Sequence, residues 1–350
     1  MNPRYRTGVL KQERTAGRTV YCVDLPCRSF DITQRSAYNH FKGFSPASGV
    51  DGGYKMNRRP IVQIVFILLF SALLCTASAE EGSHYTLPID FSAGMPINQK
   101  YYVSDTVYED PTIKVVITTG DERGVLYWIA DVEIQDASQL RTLAAEDFDS
   151  NGTEFGSVLA RRVNAVLAVD GDFYCYVRSG TTVTIRQGIA YQDHWDRAKQ
   201  DVLVVDEDGD FHGIAEPQTL QGCTEINGKK IINAFCFGPL LVNDGTISTR
   251  PAPYWVPEDQ YSQRVAIAQT GHLKYRVIVT GPSKRGSRAF TFEPWRRFVA
   301  GMDDILVAYN LDGGDSAVMV FNGEKINDPG NENERPLADM IYFASAWPGE

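Results

Sequence analysis

From residue 101 onward the chain is dominated by short apolar, β-branched and aromatic runs separated by glycine-rich polar turns, the pattern of a strand-rich domain. Tyr101-Tyr102-Val103, Ile113 to Ile117 and Val125 to Val132 read as strands, the last two joined by a hairpin loop at Gly120-Asp121-Glu122-Arg123-Gly124. Three further runs end abruptly in polar turns. Ala165-Val166-Leu167-Ala168-Val169 meets Asp170-Gly171-Asp172, Ala234 to Val242 meets Asn243-Asp244-Gly245, and Ile305-Leu306-Val307-Ala308 leads into Asn310-Leu311-Asp312-Gly313-Gly314-Asp315-Ser316 before a new apolar run at Val318 to Phe321. Helical stretches are fewer: Phe155 to Arg162 leads into the Ala165 strand, and Trp295 to Val299 begins another helix. This is neither a regular βαβ alternation nor a sandwich. It predicts an α+β fold, a strand-rich mixed sheet with flanking helices in a single domain.

Two of the polar turns read plainly as turns. Asn243-Asp244-Gly245 is a hairpin signal. Asp206-Glu207-Asp208-Gly209-Asp210 resembles a calcium loop but lacks the bidentate glutamate at its far end, so a charged hairpin turn is the better reading. Asn151-Gly152-Thr153 has the form of a glycosylation acceptor and marks a surface loop. The other two turns carry more. Carboxylates directly after a buried strand, such as Asp170 and Asp172, must find solvent or a partner. Gly313 and Gly314 allow close backbone approach and positive φ, with Asn310, Asp312, Asp315 and Ser316 around them; the plain alternative is a Gly-Asp hairpin turn.

The first 79 residues change the picture of where this protein works. Arg58-Arg59-Pro60, the apolar run Ile61 to Cys75 and Ala77-Ser78-Ala79 stand in the order of a secretory signal peptide, which predicts cleavage after Ala79. Residues 1–55 sit awkwardly before it and read as a non-native or disordered extension of Met56, with 56–79 as signal peptide, 80–99 as linker and 100–347 as the functional domain. Secretion or a place in the cell envelope follows, with no stable membrane anchor after cleavage; the alternative is a retained transmembrane anchor, since the apolar run approaches spanning length. From Glu80 onward 23 Lys and Arg face 40 Asp and Glu, a formal charge of −17 that argues against nucleic acid or an anionic membrane surface as partner. Of the six cysteines only Cys175, Cys223 and Cys236 lie beyond Ala79, an odd set, so this is no disulfide scaffold, although Cys223 and Cys236 could pair across the Asn227-Gly228 turn. From Glu80 onward, four histidines and no Cys-x-x-Cys give a structural zinc site no support.

Taken in order, several segments resemble the phosphodiester glycosidase domain family, which includes the lysosomal enzyme that uncovers mannose 6-phosphate. The likeness runs through Asp131 to Ile134, Leu140 to Leu143, Asn164 to Tyr174, Phe237 to Leu241, Arg264 to Gln269, Asn310 to Gly314 and Arg335 to Ile341, and so spans roughly residues 100–345. Asp170 stands where an asparagine is common in the family and Asp315 where a third glycine is common, each adding negative charge beside the expected pocket. The resemblance implies an exported glycosidase that hydrolyses a sugar-1-phosphodiester, of the N-acetylglucosamine-1-phosphate diester type, in a cell-wall or exopolysaccharide polymer. The alternative is a non-catalytic carbohydrate- or polymer-binding protein on the same fold. The partner in either case is a glycan or sugar phosphate.

Such a substrate poses two problems, holding a phosphate and stabilising an oxocarbenium-like transition state. Arginine suits the first because its planar, permanently charged fork matches phosphate oxygens, and Arg264 and Arg335 are the candidates. Carboxylates suit the second, which makes Asp170, Asp172 and Asp312 the catalytic candidates. Asn310, Gly313, Gly314, Ser316 and Asp339 complete the expected substrate site. No cofactor is required by the sequence, but clustered carboxylates suit a hard divalent cation.

Overall fold

Strand follows strand from residue 102, and side chains on alternate positions go to opposite layers. The computed structural model describes residues 83–172, 183–196, 198, 200–253, 255–256, 258–283, 289–327 and 334–349. The expected extension, signal peptide and cleavage site, together with Cys175, lie outside the described residues. Ser83 onward forms one contact unit. Every strand pairing among the described residues is antiparallel.

The largest sheet has nine strands, with Ile113–Glu122, Val125–Ile134, Lys274–Ser283, Val265–Gly271, Val307–Asn310 and Leu240–Asn243 in that lateral order at its centre. A five-stranded sheet places Ala165–Asp170 between Met319–Phe321 and Asp339–Ala344. A third sheet is built on Val202–Asp206, Lys229–Phe235 and Val183–Arg186. The strand-rich α+β reading of the sequence holds, with two α-helices, Gly156–Arg162 and Phe292–Ala300, among the described residues.

Period-two burial explains the layering. Leu167, Val169, Met319, Phe321, Ile341 and Phe343 of the five-stranded sheet pack in one cluster with Val265, Ile267, Val277, Val279, Val307 and Tyr309 of the nine-stranded sheet. Their neighbours point the other way. Ala168, Val320 and Tyr342 meet the helix Gly156–Arg162 through Leu159 and Ala160, whereas Ala266, Ala268, Ile278 and Ala308 meet the helix Phe292–Ala300 through Phe292, Trp295 and Val299. Two sheets therefore share a core, and one helix covers the outer face of each. At ~25 cal/mol per Å2 this shared apolar core is the main stabilising term.

One sequence feature resolves differently from its simplest reading. The stretch 83–99, which the sequence suggests is linker, lies along the domain: the buried Arg141 guanidinium donates to the carbonyls of Pro88 at 2.8 Å, Asp90 at 2.8 Å and Ser92 at 3.0 Å, and Leu87 is buried in the outer cluster. Cys223 and Cys236 are both free thiols, the first exposed and the second buried. Asp206 to Asp210 turns a hairpin, as expected, and its three aspartates surround an ammonium: Lys229 Nζ lies 3.5, 2.9 and 3.1 Å from Asp206, Asp208 and Asp210. Asp244 and Gly245 take positive φ in the turn joining Leu240–Asn243 to Thr246–Ile247.

Candidate active site

The strands Ala165–Asp170 and Val307–Asn310 belong to different sheets, yet the loops that follow them touch. Asn310 to Ser316 is thus not a hairpin turn: it carries the chain from the nine-stranded sheet to Met319–Phe321 of the five-stranded one. The backbone N–H of Asp312 donates to the Gly171 carbonyl at 3.4 Å, and that of Gly171 to the Asp339 carbonyl at 3.3 Å. Both glycines of this crossing are used, each differently. Gly314 has φ +60°, and a Cβ on the extended Gly313 would stand 2.6 Å from the Gln263 carbonyl oxygen.

Asp170, Asp172, Asp312 and Asp339 converge here. Asp170 is buried; its Oδ1 accepts the Val318 N–H at 3.1 Å and its Oδ2 has no partner among the described residues. Burial, reinforced by the charge of Asp312, pushes its pKa well above the usual carboxylate range. Asp172 is equally buried, with Oδ2 accepting the Cys236 N–H at 2.8 Å and lying 3.3 Å from Arg186 Nη2. Its pKa is raised to about 6 by burial against the opposing pull of Arg186. Asp339 accepts the Asp172 N–H at 3.0 Å on Oδ1 and lies 3.1 Å from the same Arg186 nitrogen through Oδ2, and burial raises its pKa as well.

Asp312 differs from the other three because it is only partly buried and faces a cavity of about 200 Å3. Burial raises its pKa to about 6; the Ser316 hydroxyl, the Gly313 N–H at 2.8 Å and the charge of Arg335 pull the other way. Ser316 Oγ meets no partner in hydrogen-bond geometry among the described residues, so its influence on Asp312 is one of proximity.

Arg264, Arg335, Asn310, Gly313, Gly314 and Asp315 line the same cavity as Asp312. Arg264 is buried, donates to the Gln260 carbonyl at 3.0 Å, and has its pKa lowered to about 10 by burial, which leaves it charged at neutral pH. Arg335 is exposed at the rim. Asn310 has both ends of its carboxamide engaged, accepting from Trp295 Nε1 and donating to the Gly238 carbonyl, each at 2.9 Å, so it braces the cavity wall. Asp170, Asp172, Ser316 and Asp339 lie behind the wall and do not line the cavity. Among the described residues no three His, Cys, Asp or Glu are arranged to hold a metal ion.

Residues 163–344, which carry all of these groups, match the sequence profile of the phosphodiester glycosidase family. The chain belongs to that family. It is similar to the SPbeta prophage-derived uncharacterized protein YomE of Bacillus subtilis strain 168, with 23% identity over 301 residues, 76% of this chain and 44% of that protein. The chain thus spans less than half the length of that relative. In structure it is similar to the catalytic domain of zebrafish N-acetylglucosamine-1-phosphodiester alpha-N-acetylglucosaminidase auto-inhibited by its pro-peptide. The TM-score is 0.53 at 17% identity, covering 76% of this chain and 99% of that one, which is a likeness of fold.

Arg186, which pairs with two of these aspartates, is the residue that the sequence does not single out. Its guanidinium is fully buried, bridges Asp172 and Asp339, donates to the Ala234 carbonyl and stacks over Phe235 at 4.2 Å. The available signal is a lone arginine closing the strand Val183-Thr184-Ile185-Arg186, all of whose residues are buried. A cation on such a strand requires a carboxylate partner, and the pairing with Asp339, 153 positions away, is visible only in three dimensions.

Proposed function

We propose that this chain is an exported glycosidase that hydrolyses a sugar-1-phosphodiester of the N-acetylglucosamine-1-phosphate diester type in a cell-wall or exopolysaccharide polymer. The observation that carries the reading is one small cavity lined by a carboxylate with a raised pKa, Asp312, and by two guanidinium groups, Arg264 and Arg335. An anionic leaving group and a cationic reacting carbon need this division of charge. The guanidinium groups hold the phosphate and keep it oriented. Asp312, largely ionised at neutral pH, faces the anomeric carbon as nucleophile or as the base that activates water. Departure of a phosphate monoester, whose second pKa is about 6, demands less proton donation than departure of an alkoxide.

Asp170, Asp172 and Asp339 act from behind. Asp170 fixes the Val318 N–H at the end of the crossing loop, and Asp172 and Asp339, held by Arg186, fix the loop at Gly171 that accepts the Asp312 N–H. A panel of N-acetylglucosamine-1-phosphate diesters and simple aryl glycosides, assayed for released sugar and phosphomonoester, tests the function. Binding without turnover across the panel would overturn it in favour of a non-catalytic glycan-binding protein. The site of action rests on the Met56 to Ala79 segment; mass spectrometry of native secreted protein is expected to find an N-terminus near Glu80, and peptides from 1–55 in it would overturn the assignment.

A further inference from the structure

The cavity beside Asp312 is smaller than a second one that shares its wall. This second cavity, of about 540 Å3, lies within the roughly 300–1,000 Å3 of small-molecule sites. The segment 261–264 and the Phe290 backbone separate the two. Ser262 and Arg264 face the Asp312 cavity, whereas Tyr261 and Phe290 line the larger one. The Phe290 carbonyl accepts from the Ser262 N–H at 3.2 Å and from Arg264 Nε at 3.4 Å, so a residue lining the larger cavity is bonded to two residues lining the Asp312 cavity.

The lining has a definite chemistry. Phe290 and Phe298 stack at 5.2 Å and 29° to make an aromatic floor, and Tyr261, 65% exposed, stands at its edge. Arg297 and Arg123 supply cations. Arg123 is paired with Glu122 at 3.1 Å, but Arg297, exposed on the last turn of its helix, meets no carboxylate among the described residues. In a protein carrying a formal −17 from Glu80 onward, an arginine with no carboxylate partner among the described residues, in the same lining as an aromatic pair, is complementary to a ligand with an apolar ring face and an anionic group.

We propose that this second cavity binds the next repeat of an anionic glycan, a sugar phosphate adjoining the one whose bond is cleaved. The sugar ring lies on the Phe290 and Phe298 floor against Tyr261, and its phosphate meets Arg297. The inference rests on the function proposed above, and it makes the protein selective for polymeric over single-repeat substrates. Remote binding of this kind adds to kcat/KM without touching the reacting atoms.

The test compares a four-repeat oligo(N-acetylglucosamine-1-phosphate) with a single-repeat methyl diester, using the chain from Glu80 and its Tyr261→Ala and Arg297→Ala variants. Each variant is expected to lose about tenfold in kcat/KM on the four-repeat probe, mainly through KM, and nothing on the single repeat. Equal loss on both probes, or loss on neither, would overturn the subsite. If neither probe is turned over by the parent protein, the function fails but the subsite is still decided, by calorimetric titration of the four-repeat probe. About tenfold weaker binding to Arg297→Ala than to the parent supports it, and equal binding overturns it. A neutral chito-oligosaccharide bound as tightly as the phosphate oligomer would remove the anionic ligand and overturn it as well.

Discussion

The backbone N–H of Asp312 lies 3.4 Å from the carbonyl oxygen of Gly171, which ties the loop leaving the nine-stranded sheet to the loop leaving the five-stranded one. The carboxylate that faces the cavity is therefore placed by both sheets, and the groups behind it serve to keep it there.

That placement costs stability. The pKa of Asp312 rises from 3.8 to about 6 on folding. A carboxyl raised in this way favours the folded state fully below pH 4, and its contribution is lost as the pH rises through 6. At pH 7.5 ionised Asp312 costs up to about 3 kcal/mol. Asp312→Asn is thus expected to be more stable than the parent by about 1–3 kcal/mol at pH 7.5 and no more stable at pH 4, as read from urea midpoints, while kcat falls about 10³-fold or more. Loss of folding in this variant would return Asn310 to Gly314 to a purely structural role.

The same pKa gives the proposed reaction an acid limb. With Asp312 proposed to act as a carboxylate, kcat/KM is expected to rise with pH through about 6 and level off above it. A profile flat between pH 4.5 and 7.5 would exclude Asp312 as the reacting group.

Arg335 should discriminate between substrates. Arg335→Ala is expected to lower kcat/KM by about 10–100-fold on a phosphodiester and by much less on an aryl glycoside with no phosphate to hold. Equal loss on the two, with the thermal midpoint unchanged, would remove Arg335 from the phosphate subsite.

Arg186 makes the opposite case to Asp312. Replacing it with Met strands Asp172 and Asp339 in the interior, with an expected cost of about 3–5 kcal/mol at pH 7.5. The cost should shrink toward pH 5, because Asp172, already at about 6 with its partner present, protonates once the guanidinium is gone. Denaturation curves of the parent and Arg186→Met at the two pH values measure the difference.

The elements themselves are legible in the sequence because they rest on local rules. Val125 to Val132 and Ala165 to Val169 form strands where β-branched runs predict them, and helices appear at Gly156–Arg162 and Phe292–Ala300 beside the predicted positions. The aspartates are found by an equally local argument, that a carboxylate ending a buried strand needs a partner. Their division of labour is not local. Asp172 and Asp312 both follow apolar strands, but the first is closed in by Arg186 and the Cys236 N–H while the second opens on the cavity. Asn310 looks like a ligand-binding carboxamide in sequence, and only the contacts with Trp295 and Gly238 show that it braces the wall.

Residues 311–318 are anchored in both sheets, and the two sheets meet in a core where the Tyr275 and Phe343 rings lie 5.5 Å apart. A slight slip of one layer over the other would be taken up first in this short span, and Asp312 would travel with it. On the proposed function, turnover then becomes a gauge of interlayer fit: a cavity opened at the buried Phe343 is expected to dull the chemistry while the strands on either side keep their pairing.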